Sequence, residues 1–93
     1  MPCAVQKISL IGFSIAYLQN TPMSENMKKD YITYARKQRK KLYPLAMQNE
    51  YVRHMMLVEN IIPADDARTL LDEAAQKQNG EVAAELLAYL ENK

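Results

Sequence analysis

Apolar residues recur most regularly toward the C-terminal end of the chain. Ala67, Leu70, Leu71, Ala74 and Ala75 follow an i, i+3, i+4, i+7, i+8 spacing, which lines one face of a helix with small and branched side chains. Asn79-Gly80 supplies the two residue types that most easily take positive φ, so the chain is expected to end that helix there and reverse. Glu81 opens another acidic first turn, and Val82, Leu86, Leu87 and Leu90 make an apolar stripe behind it. Pro63 suits the first turn of the earlier helix, where its missing N–H costs nothing. Pro63 to Lys93 thus read as an antiparallel pair of amphipathic helices. Burying one leucine stabilises by about 1.5 to 3 kcal/mol, so neither stripe stands alone and the pair is expected to pack on residues 23–60.

The preceding stretch is helical in the same way. Ser24 is a candidate N-cap, and Met27, Tyr31, Tyr34, Ala35 and Leu42 keep a three-to-four spacing from Glu25 to Leu42. Pro44 lacks an N–H and clashes with the turn before it, which predicts a break or kink near Tyr43. A further helical stretch runs through Leu45, Ala46, Val52, Met55, Met56 and Val58, with an interruption at Asn49-Glu50, and stops near Asn60. Ile61 and Ile62 read as a buried connector.

Residues 1–22 are a separate segment. The apolar run from Ile8 to Leu18 has eleven residues, short of the roughly 20 that cross a bilayer. Ile8, Ile11, Ile15 and Leu18 recur at helical spacing and are expected to pack on the rest of the domain. Two other readings stay open. Lys7 before an apolar run is signal-like, although Gln19 to Pro22 lack a small-x-small cleavage pattern. Alternatively, Met23 followed by Ser24 and Glu25 is a good helix start, which would make the upstream piece an extension outside the fold. Residues 23–93 form the single helical domain.

Composition bounds the function. Ninety-three residues build one modest core, and two Gly and four Pro amid abundant Ala, Leu, Lys and Glu favour an all-α fold. Cys3 is the only cysteine, so neither an intrachain disulfide nor a cysteine metal cluster is expected, in keeping with a cytoplasmic rather than a secreted protein. Charge is divided along the chain. Met1 to Val58 carries nine Lys and Arg against three Asp and Glu, and Glu59 onward carries three against eight. Such a division suits nucleic acid at the basic end, attraction between the two halves, or a second copy of the chain.

The segment around 42–58 echoes the C-terminal pair. At a shift of 29 residues Leu42 meets Leu71 and Ala46 meets Ala75; at a shift of 30, Gln48-Asn49 meets Gln78-Asn79, Val52 meets Val82 and Met56-Leu57 meets Leu86-Leu87. Within residues 69–87, Thr69, Leu71, Ala74, Ala75, Glu81, Val82, Leu86 and Leu87 resemble the helical hairpin of an ankyrin repeat. Leu70 stands where that family has proline, Asp72 where it has histidine, and Gln78 where it has the turn glycine. Ile61 to Ala64 is too short for the family's β-hairpin finger, so no ankyrin binding residues carry over. The resemblance implies a small bundle of stacked antiparallel helical hairpins whose usual work is binding other proteins. Because such hairpins occur in arrays of three or more, it also allows the chain to be part of a longer array.

No residue set amounts to an active site, and neither a cofactor nor a metal is expected. His54 is the only histidine and has no recognisable partner, and Asp65-Asp66 and Asp72-Glu73 point in different directions on a helix. The leading expectation is a non-enzymatic protein-interaction module whose binding is carried by a helix face. Met47, Met55 and Met56 are the candidate partner contacts if the fold leaves them exposed, since flexible thioethers suit adaptable surfaces. The alternative is a nucleic-acid-associated protein using Lys28, Lys29, Arg36, Lys37, Arg39, Lys40 and Lys41, with Tyr31 and Tyr34 interleaved for stacking.

Overall fold

The computed structural model describes residues 7–92, and every element in it is an α-helix. They are α1 (Lys7–Leu18), α2 (Glu25–Lys37), α3 (Arg39–Gln48), α4 (Glu50–Val58), α5 (Ala64–Gln76) and α6 (Gly80–Glu91). The all-α expectation therefore holds. Cys3 lies outside the described residues. By its internal contacts the chain divides into two compact units, Met1–Ile61 and Ile62–Lys93.

In the first unit α4 is the central helix, packed on by both α1 and α3, while α2 leads into α3. Its buried residues are Val52, Arg53, Met55 and Met56. The side of α1 that turns inward is not the one its isoleucines predict. Leu10 and Ser14 are fully buried and Phe13 nearly so, whereas Ile11, Ile15 and Leu18 are half-buried. The helix is apolar on most sides, so spacing alone does not select a face. The Phe13 ring decides it by stacking on Tyr31 of α2, with centroids 4.6 Å apart and planes 5° from parallel.

The joint between α2 and α3 also differs from expectation. The chain bends at Gln38 (φ −105°, ψ 17°), five residues before Tyr43, and Pro44 sits inside α3. Pro44 offers the Lys40 carbonyl no N–H donor, and both residues are exposed. The interruption at Asn49 is where the sequence puts it: Asn49 closes α3, and its side chain accepts from Val52 N at 3.0 Å to cap α4.

The second unit is the hairpin of α5 and α6, which pack along each other across a three-residue link and are therefore antiparallel. Its inward residues are Ala67, Leu70 and Ala74 on α5 and Val82, Leu86 and Tyr89 on α6. Ala75 and Leu87 are exposed, and Leu71 and Leu90 half-buried, so each stripe is narrower than the apolar pattern suggests. Tyr89 takes a place in it because its hydroxyl donates to the Ile62 carbonyl at 2.5 Å. The turn uses different residues from those expected. Gln78 carries the positive φ (57°), Asn79 caps α6 by accepting from Val82 N at 3.3 Å, and Gly80 is the first helical residue.

Gln78 belongs to a closing device used three times. Asn20, Asn60 and Gln78 are left-handed, and the next residue donates to the carbonyl five positions back: Thr21 to Ala16 at 2.9 Å, Ile61 to Met56 at 2.9 Å, Asn79 to Ala74 at 2.8 Å. These are Schellman ends, which satisfy helix-terminal carbonyls at the cost of one residue in αL. Asparagine tolerates that region and glutamine does not. Gln78→Gly is therefore expected to stabilise the protein by about 0.5 to 1 kcal/mol, read as a higher urea midpoint with an unchanged slope. A lower midpoint would mean that the side chain of Gln78 contributes more than its backbone strain removes.

The hairpin and the α3–α4 segment share their construction. Asn49 and Asn79 cap the second helix of each, and the residue three places on, Val52 or Val82, is buried in both. In the first helices the matching buried pairs are Leu42 with Leu70 and Ala46 with Ala74, one residue earlier than sequence alignment pairs them. The two-residue difference in shift is the difference between a single joint residue, Asn49, and the three residues 77–79.

Candidate functional site

Two of the three candidate contact methionines are interior residues. Met55 and Met56 have no exposed area and Met47 is half-buried. α4 packs with helices on more than one side, so its methionines fill the interior and offer nothing to a partner.

The seven basic candidates fare differently from one another. Lys28 places its Nζ 5.3 Å from the centroid of the Tyr17 ring, a cation–π contact within the fold. Arg36 serves α4: its Nη2 donates to the Glu59 carbonyl at 3.0 Å and lies 4.0 Å from Glu59 Oε1. Arg39 Nη1 donates to the Arg36 carbonyl at 3.0 Å, closing the end of α2. Lys29, Lys37, Lys40 and Lys41 remain exposed. Lys29 lies about 12 Å back along α2 from Lys37.

Lys37, Arg39, Lys40 and Lys41 converge on the bend at Gln38. They and Gln38 line a shallow depression of about 240 Å³. The position is electrostatically unusual. Gln38 makes no side-chain cap hydrogen bond, and the first turn of α3 carries three cations and no acidic residue. The positive end of α3 meets the negative end of α2 at Gln38, so the two dipoles offset each other there and the excess charge of this corner is that of the cations themselves. Bringing an anion to this corner relieves the mutual repulsion of the cations.

Of the tyrosines interleaved with the basic stretch, Tyr34 is half-buried and Tyr31 is engaged within the fold. Tyr31 stacks on Phe13, and Tyr17 tilts against Phe13 with centroids 5.9 Å apart. The Tyr17 hydroxyl donates to Glu59 Oε2. Burial first, and then the Glu59 hydrogen bond and charge, push the Tyr17 phenol up to about 12, so it stays protonated and donating. Glu59 thus joins α1 and α2 to the C-terminal end of α4. Sequence reasoning passes over this trio, because Tyr17 and Glu59 lie 42 residues apart and no local pattern links them.

No family model, curated protein or solved structure matches the chain. Its own geometry therefore carries the functional argument. Among the described residues, no three or more of His, Cys, Asp and Glu gather as metal donors, and no helix is long and apolar enough to cross a membrane. His54 is half-buried on α4. At the basic corner of the α2–α3 bend, Lys37, Lys40 and Lys41 are exposed together around one depression, a surface that suits an anion.

Proposed function

We propose that the chain is a non-enzymatic protein-interaction module built from helical hairpins, and that it holds an acidic segment of its partner at the α2–α3 bend. The observation that carries this reading is the exposed set Lys37, Lys40 and Lys41 around an uncapped helix N-terminus. A carboxylate-bearing side chain seated in the depression reaches the cations around it.

The ankyrin-like reading of the scaffold has two supports. The Asn cap followed by a buried valine occurs in both α3–α4 and α5–α6. Gln78 also takes αL at the position where the resemblance puts the family's turn glycine. A fingerless hairpin module of this kind works through its helix faces, in the cytoplasm and without a cofactor.

Nucleic acid is the second reading, because the same cations can neutralise phosphates. It is the weaker one. Of the two interleaved tyrosines, Tyr31 is packed on Phe13 rather than presented for base stacking, which leaves the half-buried Tyr34 alone for that role.

Fluorescence anisotropy separates the readings. A labelled glutamate-rich peptide is expected to bind at low salt, to weaken as salt rises, and to lose about tenfold in affinity when Lys37, Arg39, Lys40 and Lys41 are all changed to Gln, with helicity by circular dichroism unchanged. No peptide binding at low salt overturns the proposal. Duplex DNA or RNA binding in its place, lost in the same variant, transfers the surface to the nucleic-acid reading.

A further inference from the structure

Asn79 is the one asparagine of the chain that precedes a glycine; the others precede Thr21, Met27, Glu50, Ile61 and Lys93. A glycine nitrogen has no Cβ beside it, so it can approach the side-chain amide carbon of the asparagine before it with little hindrance. The chain holds its own comparison. Asn49 and Asn79 have the same place in the two helical pairs, each accepting from the N–H three residues on through its side chain and from the N–H four residues on through its main-chain carbonyl. The two caps differ in tightness. At Asn49 the side-chain bond is 3.0 Å and the residue is half-buried, whereas at Asn79 the bond is 3.3 Å and the residue is exposed. Gly80 itself has no structural reason to be glycine. Its φ is not positive, and a Cβ added there would meet nothing within 4 Å.

We infer that Asn79 is a site of spontaneous backbone modification, at which the chain converts the cap of α6 into aspartate and isoaspartate. When the cap opens, Asn79 Cγ can turn back to the nitrogen of Gly80. That nitrogen, having lost its proton to solvent, forms a bond to Cγ, and the bond from Cγ to the side-chain nitrogen breaks to release ammonia. The five-membered imide that results is opened by water. Breaking the new bond to Cγ yields aspartate, and breaking the main-chain bond yields isoaspartate; no electron donor or acceptor is needed. The two products act differently. Aspartate keeps an oxygen for Val82 N and adds negative charge at the positive end of α6. Isoaspartate runs the backbone through Cγ, the carbon that carries the capping oxygen, and turns the carbonyl that accepts from Ala83 N at 3.0 Å into a free carboxylate. It therefore loosens the joint at which α5 reverses into α6.

Peptide mapping by mass spectrometry, with fragmentation that tells isoaspartate from aspartate, tests this on the full chain aged in mildly alkaline buffer. Both products are expected at Asn79 while Asn49 stays intact. Gly80→Ala should fold normally, since the added methyl has room and favours helix, and should lower the reaction at Asn79 to the level at Asn49. Asn79 that stays intact while a free peptide of residues 76–83 reacts overturns the proposal, because the folded cap then shields it. Equal reaction at Asn49, or an unchanged rate in Gly80→Ala, overturns the roles given to the loose cap and to glycine. After separation by ion exchange and peptide mapping, the isoaspartate form is expected to melt below the aspartate form. Equal melting would overturn the loosening of the hairpin.

Discussion

Replacing Phe13 by alanine is expected to lower the unfolding free energy by about 3 to 5 kcal/mol. Phe13 is 5% exposed, lies flat on Tyr31 and tilts against Tyr17, so it ties α1 to α2 and to the aromatic contact that ends in Glu59. Truncation removes most of a buried ring and leaves a cavity walled by two tyrosines. A domain of this size has a total stability of about 5 to 15 kcal/mol, so the loss is a large part of the total. The same measurement bears on residues 1–22, which the sequence allows to be a signal-like segment or an extension. A segment outside the fold would not bury Leu10 and Ser14 completely. Urea unfolding followed by circular dichroism gives the answer. A midpoint unchanged in Phe13→Ala would mean that α1 contributes nothing to the core.

Arg53→Ala is expected to cost about 3 kcal/mol. Arg53 is a cation at 4% exposure in a helix whose other buried residues are Val52, Met55 and Met56. Its Nη1 donates to the Ala46 carbonyl at 3.1 Å, in the last turn of α3. Asn49 N takes the neighbouring Leu45 carbonyl at 2.8 Å, so the backbone and one arginine together close that helix end. Alanine leaves a buried acceptor unmade and a void the size of a long side chain. Lysine should restore little, because it lacks the planar donor fork. Chemical denaturation reads the effect directly, and a loss under about 1 kcal/mol would mean that water replaces the guanidinium. Because α3 also begins at the basic corner, loosening its C-terminal end should weaken peptide binding through a residue that is buried well away from solvent.

The helices are readable from apolar spacing because burial selects one side of each. Their precise faces are less so. α1 is apolar nearly all round, and the side that wins is set by one ring finding another 18 residues away. The α5 stripe contains five candidates, and packing along α6 uses only Ala67, Leu70 and Ala74 of them. Asn49 and Ser24 behave as local chemistry dictates, since a side chain three residues from an orphan N–H needs no tertiary context to cap it. Gln78 does not, because glutamine has no intrinsic preference for αL and is placed there by the need to close α5. The burial of Met55 and Met56 is hidden for a related reason: helix-spaced methionine looks the same in sequence whether it faces solvent or the interior. Basic residues on α2 and α3 were visible as a group, but only the structure separates Arg36 and Lys28, which hold the fold together, from Lys37, Lys40 and Lys41 at the surface.

The claim that the bend at Gln38 is the contact surface is tested most directly by residue-resolved amide chemical shifts recorded while a glutamate-rich peptide is added at low salt. Shifts confined to Lys37, Gln38, Arg39, Lys40 and Lys41 and reversed by added salt are the predicted result. Shifts located elsewhere, or none at all, would contradict it.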